Sequence, residues 1–412
     1  MSLLTLPNEI LLQITEYLGP HPPLINSLLQ VNQHLTSLLT PVLLDSACAR
    51  TRHGCETALW RAAERGTAAV VELLLRRGGV DVNTHDIYGV CALPSAVRKL
   101  NAATVKLFLE HDEINVNSQD KQGRTPLFVA SERCKTGGEI ARMLLDDKRV
   151  DINIRDMLGN APIHFAAKEG NVELMRLLLD NERLQDFNMR GHNGHTALHS
   201  AAEAGQEPVV KFLLAHKMTD VNARSDQGTT ALHEATQAGR AGVVQLLLGA
   251  EGIDLTSSAE SDLTLFLIAV LYSRIQVVHV FLRDPRFDVQ EADQHGQTPL
   301  HMAAQAGDAK MTEILLSYPK TNVNITDKSG KTPLRLAARV PRTTAAAATI
   351  KLLLAHPDID PNLREDNGQT PLHIIAQRGC SELAKLLLSD PRVDPSVRDN
   401  EGNTPLHIAA AS

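Results

Sequence analysis

Thr298-Pro299-Leu300-His301-Met302-Ala303-Ala304 is a string that returns, with variations, along most of the chain. Its leading position falls at Thr57, Cys91, Thr125, Ala161, Thr196, Thr230, Thr264, Thr298, Thr332, Thr370 and Thr404. The spacings are 34, 34, 36, 35, 34, 34, 34, 34, 38 and 34 residues, a mean of 34.7. Nine of the eleven leading residues are Thr, a recurrence in register that chance does not produce. Such a period marks one supersecondary unit copied many times, each burying its apolar side against the next. The copies are numbered here as repeats 1 to 11.

Every position in the string has a physical task. Thr at its head accepts a hydrogen bond from an orphan amide of a helix N-terminus. Pro at the next position (Pro126, Pro162, Pro299, Pro333, Pro371, Pro405) forfeits no bond there. The Leu two residues after the head faces the neighbouring repeat. Ala five residues after it, with Ile375 the exception, lets helices approach closely. Gly nine residues after it (Gly66, Gly170, Gly205, Gly239, Gly307, Gly379) ends the first helix in a left-handed conformation. A second helix follows, with an apolar triplet such as Leu177–Leu179 or Leu386–Leu388. Then come a Val-Asp-x-Asn stretch and an Asp-x-x-Gly turn, as in Val150–Gly159, a pattern that suits a β-hairpin finger.

Composition agrees with a thin, layered core. Aromatic residues are 3% of the 412, too few for a large compact enzyme core, where rings contribute much of the buried area. Lys and Arg number 41 against 48 Asp and Glu, a net charge of −7. That balance argues against a general nucleic-acid binder, which needs excess cationic side chains to displace counterions. The longest uncharged apolar run, Leu263–Tyr272, is about half of the ~20 residues that a membrane span requires. Five cysteines (Cys48, Cys55, Cys91, Cys134, Cys380) stand at scattered spacings with no C-x-x-C pair. They suit a reducing compartment rather than a disulfide framework or zinc site. The expectation is an intracellular protein, cytoplasmic or nuclear.

The repeat resembles the ankyrin repeat over roughly residues 53–412. The resemblance implies an all-α fold: an α-solenoid of paired antiparallel helices with β-hairpin fingers along one edge and a surface for protein partners. Residues 51–412 then hold about ten full repeats and a C-terminal half-repeat. The half-repeat, Thr404–Ser412, is expected to be a minimal cap. A lost longer part, or an edge that meets another protein, are the other readings. Departures mark the unusual copies. Repeat 2 reads Cys91-Ala92-Leu93-Pro94, and repeat 7 reads Thr264-Leu265-Phe266-Leu267 with Ser273 where Gly is usual. Repeat 7 is therefore expected to be the weakest. Repeat 3 gains two residues around Cys134–Gly138, repeat 4 gains one near its finger, and repeat 9 gains four around Val340–Ala348. Finger-tip positions that the fold leaves free, Tyr88, Lys121, Met157, Arg190, His192, His195 and Gln227, are the expected target-binding residues.

Residues 1–50 do not fit the period. Leu6-Pro7-Asn8-Glu9-Ile10-Leu11-Leu12-Gln13-Ile14-Thr15-Glu16-Tyr17-Leu18 places apolar side chains on one face of a helix, stopped by Gly19-Pro20. A second apolar pattern runs through Leu24, Leu28, Val31, Leu35 and Leu38. So short a segment can hardly bury this much apolar surface on itself. The order of these residues resembles an F-box, notably the form that precedes ankyrin arrays in filamentous fungi. That resemblance implies a three-helix module over 1–50. It would dock a Skp-type adaptor of a cullin-based ubiquitin ligase through Leu6, Pro7, Ile10, Leu11, Ile14, Leu18, Val31 and Leu35. Gln33 and His34 stand where many F-boxes carry Arg or Lys. The chain would then be a substrate-recognition adaptor. The alternative is an ankyrin scaffold whose N-terminal helices only cap the array.

No residue pattern points to chemistry. The motif histidines His164, His199, His233, His301, His373 and His407 recur once per repeat, about 10 Å apart on stacked helices. They cannot share a metal and suit hydrogen bonding within the fold. His192 and His195 lie closer together but lack an evident third ligand. No phosphate-binding loop, nucleophile elbow or His-Glu-x-x-His helix occurs. Arg142, Lys148, Arg149 and Arg155 are interleaved with Asp146, Asp147, Asp151 and Asp156 and read as a solvated face. The expectation is a non-enzyme with no cofactor, no metal, no catalytic residue and no nucleic-acid or membrane partner.

Overall fold

The computed structural model describes residues 54–411 apart from 78–80, 84, 86–88, 133–137, 257–262 and 341–342. The segment 1–50, with every adaptor-binding residue expected above, lies outside the described residues, as does Tyr88.

Repeats 1 to 10 each form two short helices, and repeat 11 contributes Pro405–Ala411. Repeat 8 shows the pattern: Pro299–Ala306 is its first helix and Ala309–Leu316 its second. Helices of two turns are marginal alone in water, so their stability comes from neighbours. The motif supplies those contacts. The Leu two residues after the head is buried in repeats 1 to 6 wherever present (Leu59, Leu93, Leu127, Leu198, Leu232) and in repeats 8 to 10 (Leu300, Leu334, Leu372). The Ala five residues after it is buried in repeats 1 to 9, and Ile375 takes its place fully buried in repeat 10. Of the apolar triplet, the middle Leu is the core residue: Leu74, Leu178, Leu247 and Leu387 are fully buried. Gly170 and Gly205 end their first helices at φ +80° and +83°, a region that costs other residues about 1–2 kcal/mol.

The chain divides into two compact bodies, residues 1–192 and 193–412. In the first, repeats 1 to 4 pack first helix on first helix and second on second. In the second, first helices pack in a continuous row from repeat 5 to repeat 11. Second helices pack from repeat 5 to 7 and from 8 to 10, and the junction between repeats 7 and 8 is the least contacted of that row.

The fingers differ from the expected β-hairpins. Among the described residues the one bridge is the isolated antiparallel pair His85 and Cys91. In five of the described fingers an aspartate organises the turn instead of a strand ladder. Asp327 Oδ1 accepts from the backbone amides of Ser329 and Lys331 at 2.9 Å each, while its own amide donates to the Lys331 carbonyl at 2.9 Å. Gly330 completes the turn at φ +70°. Asp120, Asp156, Asp293 and Asp399 repeat the arrangement. A carboxylate that satisfies two amides makes a longer ladder unnecessary. Successive fingers are joined tip to tip: the amides of Met157, Lys328 and Asn400 donate to the carbonyls of Gln122, His295 and Asn367.

The four extra residues of repeat 9 are taken up as helix. Its second helix runs Thr343–Ala355, 13 residues against 8 in repeat 8. Four residues are close to one turn of 3.6, so Ile350 and Leu353 keep the core face and are fully buried.

Candidate interaction surface

The motif histidines are spent on the backbone. In repeat 8 the Thr298 amide and hydroxyl donate to His301 Nδ1 at 3.2 and 2.9 Å, and His301 Nε2 donates to the Lys331 carbonyl at 2.9 Å. An amide can only donate and a carbonyl can only accept, so the ring is the neutral Nε2–H tautomer. His199 and His373 make the same latch to the carbonyls of Thr229 and Asn403. Each ties a first helix to the finger of the following repeat. His164 reaches the Met189 carbonyl at 2.9 Å, because Gly191 replaces the turn aspartate. A Cβ at Gly191 would stand 2.9 Å from the His164 ring. Burial pushes the His301 imidazole below its ordinary pKa, against the pull of the Lys331 carbonyl and nearby aspartates.

Repeat 9 replaces this latch with charge. Arg335 stands at the histidine position and Glu365 at the turn aspartate of the next finger. Arg335 Nη2 donates to Glu365 Oε1 at 2.9 Å and Nε lies 2.8 Å from Oε2, the side chains being only 9% and 6% exposed. Neither residue stood out in the sequence. The signal was there: two departures from the motif in adjacent repeats, of opposite charge.

The Arg and Asp residues read as a solvated face are, in part, clamps. Arg149 Nη2 donates to the Leu109 carbonyl at the end of repeat 2's second helix, 2.7 Å away, while Asp147 pairs with the same guanidinium at 2.7 Å. Asp284 with Arg286, and Asp390 with Arg392, repeat the device against the Leu248 and Leu354 carbonyls. A cation over exposed C-terminal carbonyls completes the helix and opposes its dipole. The hydrogen bond from each arginine holds its aspartate below the usual carboxylate range. Arg142 pairs with Glu173, and Arg155 donates to the Arg190 carbonyl. The spacing Asp-x-Arg carried this information; reading charge as bulk solvation missed it.

With the constant positions occupied internally, variable ones remain outside. Lys121, Met157, Arg190, His192 and Gln227 are exposed at or beside finger tips. Met157 and its neighbour Leu158 are 77% and 60% exposed. His195 departs from the expectation of a free tip. It is half-buried, stacked on His199 with ring centroids 5.2 Å apart, and its Nε2 lies 3.6 Å from Glu234 Oε1. Lys121, Met157, Arg190 and His192 belong to the first body, His195 and Gln227 to the second.

A cleft of about 700 Å³ lies between repeats 10 and 11 and is lined by Leu372, Ile375, Ala384, Leu388, Leu406 and Ala409 among others. Its walls are apolar and bring no acid–base pair together. Among the described residues no group of three or more His, Cys, Asp or Glu is placed to hold a metal ion, and no helix is long and apolar enough to cross a membrane.

Family models agree with this architecture. A model described as ankyrin repeats (3 copies) matches residues 20–120, 59–156, 138–225, 163–259 and 266–348, and one described as ankyrin repeats (many copies) matches 352–409. Together they take in most of the chain, which belongs to the ankyrin-repeat proteins. Neither is an F-box model, and the first match opens at residue 20, inside the segment that resembles an F-box. The chain is also similar to neurogenic locus notch homolog protein 2 of Homo sapiens and of Mus musculus, 30% identical over 138 residues in each case. That stretch is 34% of this chain and spans 5% of the length of those relatives.

Proposed function

We propose that this chain is an interaction module whose array holds a protein partner and performs no chemistry of its own. One observation carries the reading. The positions constant between repeats are engaged in caps, latches and clamps, whereas most of the tip positions, which differ from finger to finger, are exposed. The expected contact residues are Tyr88, Lys121, Met157, Arg190, His192 and Gln227, with His195 acting through the finger that it braces. Proximity labelling should test this. A K121E/M157D/R190E/H192E variant is expected to lose neighbours that the natural chain labels, and an unchanged neighbour set would overturn the reading.

A narrower reading makes the chain a substrate receptor of a cullin-based ubiquitin ligase. It rests on Leu6-Pro7-x-Glu9-Ile10-Leu11 and the ordered continuation through Val31 and Leu35. Its chemistry would be positioning alone, raising the effective concentration of target lysines near a charged enzyme. Substituting Leu6, Pro7 and Ile10 together should abolish co-purification of a Skp-type adaptor. If no adaptor co-purifies with the natural chain, the N-terminal helices are left as a cap.

A further inference from the structure

Repeat 7 breaks the surface pattern of its neighbours at one place. The seventh and eighth residues after the head, at the end of the first helix, read Gln237-Ala238 in repeat 6 and Gln305-Ala306 in repeat 8, but Leu271-Tyr272 in repeat 7. Leu271 is 52% and Tyr272 43% exposed. Tyr272 is held in place: Gln237 Nε2 donates to its hydroxyl at 3.3 Å, and the Arg274 guanidinium carbon lies 5.9 Å from its ring centroid. An exposed aromatic that is already ordered pays little entropy on binding, which is how interface anchors are built.

Two arginines stand beside it, one repeat apart. Arg240 and Arg274 lay their stems across Gly205 and Gly239, and each Nε donates to a carbonyl of the preceding first helix, Glu203 at 3.0 Å and Gln237 at 2.7 Å. Neither guanidinium pairs with a carboxylate among the described residues. The acid at the equivalent position of repeat 8, Asp308, is already engaged, by the Ser273 hydroxyl at 2.7 Å and the Met311 amide at 3.0 Å. The patch is thus an apolar knob with two anchored, unneutralised cations on one side.

Resting on the interaction-module reading, we propose that Leu271, Tyr272, Arg240 and Arg274 form a docking site for a protein segment that presents an apolar side chain next to Asp or Glu. The anchor packs on Leu271 and Tyr272, and the carboxylates meet the outer guanidinium nitrogens.

A random dodecapeptide library displayed on phage, selected against the whole chain, tests this. Selected peptides should combine an apolar anchor with adjacent acids, and the synthetic peptides should bind L271Q/Y272A at least about tenfold more weakly. That variant carries the residues of the neighbouring repeats, so it keeps the fold. R240Q/R274Q should weaken the same peptides and flatten their salt dependence. Peptides unaffected by these changes but lost in the finger-tip variant would overturn this site and leave the interaction module standing. Selection of basic peptides, or of none, would overturn the site, as would self-association of the chain abolished by L271Q/Y272A, which would assign the patch to a second copy.

Discussion

Arg335 and Glu365 show how one residue's meaning depends on its counterpart in the next repeat. Their ion pair is nearly closed to water, and removing one partner from such a pair strands the other charge at a cost of about 3–5 kcal/mol. E365A should therefore lower the urea midpoint of the second body strongly. The double variant R335H/E365D restores the latch and the turn carboxylate of the other repeats. It should unfold within about 1 kcal/mol of the natural chain, as neutral replacements of buried pairs often do. Equal damage from E365A and the double variant would mean that the pair contributes nothing beyond its separate side chains. Arg335 departs from the histidine motif in the sequence, but no pairing can be read there, because the partner lies 30 residues on.

Between elements, the histidine latch couples each first helix to the next finger, and it works only with a neutral ring. His301 is held below its ordinary value of 6.5 by burial, so the unfolded chain binds its proton at higher pH than the folded one. The resulting stability is fully present above about pH 6.5 and is lost as pH falls toward the depressed folded value. The clamped aspartates, also depressed, lose their contribution only below the ordinary carboxylate range near 3.8. Melting temperature should thus begin to fall between pH 7 and 5, ahead of the carboxylate-dependent loss. In H301Q that early slope should be smaller, and an unchanged slope would show that His301 is not its source. Periodicity alone assigned the histidine a hydrogen-bonding role. It did not show that the fingers close on an aspartate rather than a strand ladder, since both use the same Asp-x-x-Gly letters.

Across the whole array, stability is close to a sum of repeat and interface terms, so one poor junction can divide it. Repeat 7 combines several weaknesses. Ser273 sits at φ +54° where glycine is usual, Leu271 and Tyr272 are exposed, and the second helix has its least contacted neighbour on the repeat 8 side. Against these stand a larger core, with Phe266, Phe281 and Phe287 in contact, and the Ser273–Asp308 hydrogen bond. Hydrogen exchange should show residues 255–295 opening before residues 296–330. Uniform protection would mean that the aromatic core outweighs the poor caps.

The sequence alone determined the ankyrin-repeat class, the register of the copies, the buried Leu and Ala positions and the helix-ending glycines. It could do so because each depends on contacts within one repeat or between identical positions of adjacent ones, and periodicity exposes both. Only the tertiary structure decided which charges face solvent. Arg149, Arg286 and Arg392 cap a helix 38 or more residues earlier in the chain, and His195 is turned inward against Glu234. Where a long side chain points is set by what stands across the groove from it, and no local pattern records that.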